Sequence, residues 1–177
     1  FDRASRSFFG RINYAYKSKY LFEANLRHDG NASYHRDYRW GTFPSFSAAW
    51  RITEESFMDN TRNWLDNLKL RVSYGSVGNN GGTDVGEYEY MSTYASAKYP
   101  LGGKLVSGLA STSIANSMLS WETSKMVNVG VDLNALNNRL SFTADVFHKK
   151  TTGILFTPSI YLTAGNKTAP RQNIAEM

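Results

Sequence analysis

The chain has no cysteine, only four prolines in 177 residues, and no apolar run approaching the ~18 residues of a membrane helix. The first absence excludes disulfides, zinc ribbons and thiol nucleophiles together. The last leaves strands as the only elements that could cross a bilayer. No charged segment followed by an apolar stretch marks a signal peptide. The chain opens on Phe1-Asp2-Arg3 without an initiator methionine and is expected to be a piece of a longer protein. The formal net charge is +5, but the basic residues are interleaved with acids, so no nucleic-acid partner is expected. His28, His35 and His148 lack metal-ligand spacing. Gly78-Asn79-Asn80-Gly81-Gly82 is followed by neither Lys-Ser nor Lys-Thr, as a phosphate-binding loop would require. No metal, no cofactor and no catalytic residue is expected, and the chain does not read as an enzyme. Asn31-Ala32-Ser33 and Asn166-Lys167-Thr168 match the glycosylation pattern by chance.

What the sequence has is alternation. Over residues 20–29 the even positions are Tyr20, Phe22, Ala24, Leu26 and His28, and the odd ones Leu21, Glu23, Asn25, Arg27 and Asp29. That period of two specifies strand rather than helix. It recurs over residues 8–16, 43–52, 68–75, 125–133 and 139–147, giving six expected antiparallel strands with one apolar and one polar face. Pro44 lacks an N–H and is expected near its strand's start. Residues 54–67 break the alternation and could form a helical turn around Phe57, Trp64 and Leu65. Residues 76–120, rich in Gly, Ser, Asn and Tyr, show no sustained periodicity and are expected to form one long loop.

Connections alternate in character. Lys17-Ser18-Lys19 and residues 134–138 are short, whereas residues 30–39 and 76–120 are long. Short turns at one end and long loops at the other suit an outer-membrane barrel with extracellular loops. Tyr14, Tyr16, Tyr20 and Trp50 then fall near the turn rim, as an interfacial aromatic girdle requires. On the pattern alone a soluble β-sandwich that binds carbohydrate, or a passive porin or adhesin barrel, remains open. Wide apolar faces without an amphipathic helix to cover them favour lipid.

Several blocks resemble one family. They are Phe9-Gly10-Arg11-Ile12-Asn13-Tyr14, then residues 20–30, then Arg39-Trp40-Gly41-Thr42-Phe43-Pro44-Ser45-Phe46-Ser47-Ala48-Ala49-Trp50-Arg51-Ile52-Thr53-Glu54-Glu55. They continue in Leu68-Lys69-Leu70-Arg71-Val72-Ser73-Tyr74-Gly75, Gly78-Asn79, Trp121-Glu122-Thr123, Asn128-Val129-Gly130-Val131-Asp132 and residues 138–145. Their order resembles the SusC/RagA-type TonB-dependent transporters of Bacteroidetes outer membranes. The resemblance implies an all-β segment of a barrel of about 22 strands, from its C-terminal half, with the plug and TonB box lying outside residues 1–177. It also implies an outer-membrane location, an energising TonB complex, a SusD-like surface lipoprotein as partner, and glycan or oligopeptide cargo.

The inward polar set is Glu23, Asn25, Arg27, Asp29, Arg51, Lys69, Arg71, Asn128, Asp132 and Asp145, expected to line the lumen with Glu23 or Asp29 pairing to Arg51. Glu23, Asp132 and Asp145 are read as lining rather than as a glycosidase pair. Substrate contacts are expected from the outer loops, at Tyr34, His35, Asp37, Tyr38, Arg39, Asn79, Asn80, Tyr88, Tyr90 and Tyr94. Flat rings beside Asn, Asp and Arg suit the apolar faces and hydroxyl edges of sugars.

Overall fold

A computed structural model describes residues 4–81, 86, 89–112, 114–161, 163 and 169–177. Seven strands form one antiparallel sheet in the order β1 (Ser5–Tyr16), β2 (Tyr20–Asn31), β3 (Trp40–Arg51), β4 (Leu65–Asn79), β7 (Glu122–Ala135), β8 (Leu140–Phe156) and β9 (Gln172–Glu176). β5 (Tyr94–Leu101) and β6 (Lys104–Ser111) pair only with each other, between β4 and β7. The sheet is open: β1 and β9 each keep one edge without a partner strand among the described residues. Strands of 12 to 17 residues in β1–β4, β7 and β8 exceed the ~9–11 needed to cross a bilayer at a tilt.

The register explains why the alternation matters. Tyr14, Phe22, Ala48, Val72, Val129 and Val146 occupy one row of successive register partners, and Tyr16, Tyr20, Trp50, Leu70, Val131 and Ala144 the row beside it. Because a one-residue slip would turn every side chain over, apolar residues falling in step on six strands fix the pairing. On the opposite face the row Ala15, Leu21, Ala49, Arg71, Gly130 and Asp145 runs beside Arg51, Lys69, Asp132 and Thr143. We call the first face outward and the second inward.

The three tight or moderate connections lie at one end. Lys17 and Ser18 adopt φ of 49° and 55°, and Lys19 N–H donates to Tyr16 O at 3.0 Å, which makes a type I′ hairpin. Asn137 and Asn138 take φ of 55° and 60° in the β7–β8 turn, a conformation their short polar side chains tolerate. Between β3 and β4 the expected helical turn is two 3₁₀ segments, Ile52–Glu54 and Ser56–Thr61. Leu65 is instead the buried first residue of β4.

Other expectations shift at strand ends. β8 continues from the predicted residue 147 to Phe156, because His148, Lys149, Lys150, Thr151 and Thr152 are polar on both faces and carry no period. β4 likewise runs to Asn79, so the long connection spans 80–121 and holds the β5–β6 hairpin. β3 starts at Trp40, so Pro44 is interior to it. Pro44 lies one residue beyond the last β3–β4 register pair, Ser45 with Gly75, where no further ladder to β4 forms. There β3 and β4 part, and the Phe43 ring fills the gap against Gly78, whose lack of a Cβ makes the room.

Candidate functional site

The ten residues expected to line the lumen share one face of the sheet, and the structure brings half of them into one network. Arg71 Nη2 donates to Asp132 Oδ1 at 3.0 Å and to Asp145 Oδ1 at 3.3 Å. Lys69 Nζ is 3.7 Å from Asp132 Oδ2, Asn128 Nδ2 donates to Asp145 Oδ1 at 3.2 Å, and Thr143 Oγ1 donates to Asp132 Oδ1 at 3.3 Å. Arg71 on β4 reaches Asp145 on β8 across Gly130 of β7, the residue between them in register. A Cβ at Gly130 would collide with Asp145 Oδ1. The pairing expected of Glu23 or Asp29 with Arg51 does not form. Arg51 is 3.4 Å from Glu54, Arg27 is 2.6 Å from Asp29, and Glu23 accepts from Asn25 at 2.8 Å, because partners on the same strand or in the adjoining 3₁₀ segment lie closer.

Toward the loop end the inward face deepens into a recess of about 950 Å³. It gathers Arg11, Asn25, Arg27 and Asp29 from the wall, Asn79 and Asn80 from the end of β4, and the rings of Phe9, Phe43 and Trp121. Trp121 ties the rim together. Its ring meets Phe43 edge-on at 5.6 Å and Tyr34 at 5.8 Å, and its Nε1 donates to Arg39 O at 2.9 Å. Tyr34 and Leu119 beneath it are fully buried, with Leu155 packed alongside. Burial, with the charges of Glu122 and Glu89 nearby, pushes the Tyr34 phenol up to about 12.

The outer-loop candidates therefore separate. Tyr34, expected to face substrate, is instead the core of this end, since the tight loop turns its ring under Trp121. His35 is half-buried, 3.3 Å from Asp37 and edge-on to Tyr90 at 6.1 Å. Asp37 and Tyr38 are exposed, and Arg39 is half-buried. Asn79 Oδ1 accepts from Gly81 N–H at 3.2 Å. Tyr94 stands exposed at the start of the β5–β6 hairpin, away from the recess. Tyr88 lies outside the described residues, as does Asn166-Lys167-Thr168. Sequence reasoning missed Phe9 and Phe147, aromatics on the inward face, and the inward role of Phe43 and Trp121. Odd numbering on β1 and β3 was the available signal for Phe9 and Phe43.

The outward face carries rings at both rims. At the turn end Tyr16 and Tyr20 stack at 6.5 Å, and Tyr20 and Trp50 at 6.4 Å. Glu55 gathers their polar tips: Tyr20 Oη donates to Oε1 at 2.7 Å, Trp50 Nε1 to Oε1 at 3.2 Å, and Lys19 Nζ to Oε2 at 3.2 Å. The hydrogen bond from Tyr20, then those from Trp50 and Lys19, hold the Glu55 carboxyl below the usual carboxylate range. At the loop end Trp40 stacks on His28 at 4.7 Å and on Phe8 at 6.2 Å. The ten residue steps from Trp50 to Trp40, at ~3.4 Å each and inclined by ~40°, separate the two rims by about 26 Å, close to the ~25 Å apolar band of a membrane barrel.

Comparison with known proteins follows the same lines. The profile of the family described as TonB dependent receptor-like, beta-barrel matches residues 1–177. The TonB-dependent receptor P3 of Formosa agariphila is 34% identical over 171 residues, covering 97% of this chain and 17% of that protein. The TonB-dependent receptor SusC of Bacteroides thetaiotaomicron is 34% identical over 175 residues, again 97% of this chain and 17% of that protein. Among solved structures, the RagAB peptide importer in its open-open state superposes with a TM-score of 0.83 at 27% identity, covering 98% of this chain and 18% of that one. The chain thus spans about a sixth of the length of the curated relatives it matches.

Proposed function

The chain belongs to the TonB-dependent receptor β-barrel family of the outer membrane, and we propose that it forms a stretch of wall in an energised importer. Its outward face meets lipid, and its inward face lines the passage. The recess and loops at the far end meet cargo and a SusD-like surface lipoprotein. The observation that carries this reading is the register, which aligns an apolar band on one face across six strands and sets a charged network on the other face over β4, β7 and β8. Its chemistry is gating rather than catalysis: force delivered by a TonB complex through a plug elsewhere in the protein opens the path. Cargo is an oligopeptide or a glycan. RagAB, whose fold this sheet shares, is a peptide importer, and rings beside Asn25, Arg27, Asn79 and Asn80 suit either class. The charged groups of the recess supply hydrogen bonds and charge complementarity to peptide termini or sugar hydroxyls.

Two substitutions at adjacent positions test the assignment of faces. Val129→Asp places a charge on the outward face at mid-height, where a charge facing lipid destabilises a barrel, by about 2–4 kcal/mol for Arg or Lys and by less for Asp. Asn128→Asp places one on the inward face, where the cost is small. Val129→Asp should sharply reduce the amount of folded protein in the outer membrane while Asn128→Asp leaves it near wild type. Equal loss from both would reject the reading. Energised transport is checked separately: cargo uptake should stop on adding a protonophore, and uptake that continues would indicate a passive pore.

A further inference from the structure

We propose that Lys125 and Lys150 form a binding site on the outer wall for the phosphate of an anionic lipid headgroup. They are register partners on β7 and β8, so two like charges stand directly opposite each other on the outward face. Such a pair is destabilising unless an anion lies between or beside its members. Glu176 answers only half of it, at 3.2 Å from Lys150 Nζ, while Lys125 is exposed and has no acidic partner among the described residues.

Height along the strand identifies the occupant. Outward residues of β8 run Leu140, Phe142, Ala144 and Val146, then His148 and Lys150. Those of β7 run Ala135, Leu133, Val131, Val129 and Val127, then Lys125. On these two strands the unbroken apolar run ends where the basic pair begins, and beyond it Phe156 of β8 and Ile174 of β9 are again exposed. The ten steps from Leu140 to Lys150, at ~3.4 Å and a tilt of ~40°, reach about 26 Å above the turn, the level at which a bilayer's apolar band gives way to headgroups. A lysine there keeps its methylenes against acyl chains and its ammonium among phosphates. A soluble anion gains nothing from the Val127 and Val146 surface beneath, whereas a lipid satisfies the ammoniums with its phosphate and the valines with its chains. His148, on the same face one step below Lys150, adds a further hydrogen-bond donor.

This inference rests on the outward face meeting lipid, and the test separates the two. The full-length protein is purified in detergent, and binding of phosphatidylglycerol, phosphatidylcholine and inorganic phosphate is titrated by native mass spectrometry. Insertion into pure phosphatidylcholine bilayers is scored independently, and its failure would count against the membrane-wall reading itself. Phosphatidylglycerol should bind at least about fivefold more tightly than phosphatidylcholine, with about a fivefold loss for each of Lys125→Gln and Lys150→Gln. Lys149→Gln, one residue away on the inward face, removes the same charge and should change nothing. Equal binding of the two lipids, or a preference that survives in the double variant, would overturn the proposal. So would inorganic phosphate displacing the lipid at equal concentration, which would mark a site for soluble anions.

Discussion

Gly130 shows how much one missing methyl carries. The Arg71 guanidinium spans from β4 to β8 over a strand whose residue at the crossing has no side chain. Gly130→Val should therefore force the Arg71 and Asp145 side chains apart and destabilise the barrel by about 1–3 kcal/mol, as overpacking does. Gly10→Val is the matching control: Gly10 sits in β1 with no atom within 4 Å of where a Cβ would stand, and a β-branched residue there suits a strand. Urea unfolding from lipid vesicles, followed by tryptophan fluorescence, would compare them, and equal midpoints would contradict the role given to Gly130. Glu55 adds a second residue-scale expectation, in pH. Its folded-state pKa lies below the ordinary value of 4.5, so its contribution is fully present above that value and disappears as pH falls through the lower folded one. Acidification through that window should release Tyr20, Trp50 and Lys19 and red-shift Trp50 emission. Glu55→Ala should show the shifted emission at neutral pH, with no further acid step.

Among elements, the β5–β6 hairpin stands apart. It pairs with no other strand, and both its faces are wet, with Tyr94, Leu105 and Leu109 exposed on one and Tyr99 and Leu101 on the other. Two strands alone are marginal in water, so this hairpin adds little to the wall's stability. Replacing residues 94–111 by a short Gly-Ser linker should leave membrane insertion and heat-resistant electrophoretic mobility unchanged, while any loss would show the hairpin to be part of the folding unit. The sequence concealed it because the alternation is short in its first strand and absent from its second. Residues 94–101 read Tyr-Ala-Ser-Ala-Lys-Tyr-Pro-Leu, with Ala95, Ala97, Tyr99 and Leu101 on one side and Tyr94, Ser96, Lys98 and Pro100 on the other. The wall strands were legible for the opposite reason, since lipid against water enforces the period. Phe9 and Phe43 obey the numbering but break the polar pattern of the inward face, and only the register reveals that they and Trp121 share a recess. Tyr34 was misread because composition cannot tell a loop aromatic that faces out from one the loop folds over.

At the scale of the molecule the open edges decide behaviour. A closed barrel leaves no strand without a neighbour, but here the outer edges of β1 and β9 have none among the described residues. β1 is also exposed along its whole length, with Phe8, Phe9, Ile12, Tyr14 and Tyr16 open on its two faces. Burying those rings needs lipid on one side and neighbouring strands at the edge, and detergent supplies only the first. The 177-residue chain expressed alone should therefore aggregate in water and form mixed oligomers in detergent. Flanking barrel segments supplied on a second polypeptide should restore a folded, heat-modifiable species, because edge pairing rather than covalent continuity is what the sheet lacks. Co-refolding the two pieces in detergent and following the shift in electrophoretic mobility would test this. A monodisperse, folded monomer from the isolated chain would show that these strands can satisfy their own edges, and the wall assignment would then have to give way to a self-contained sheet.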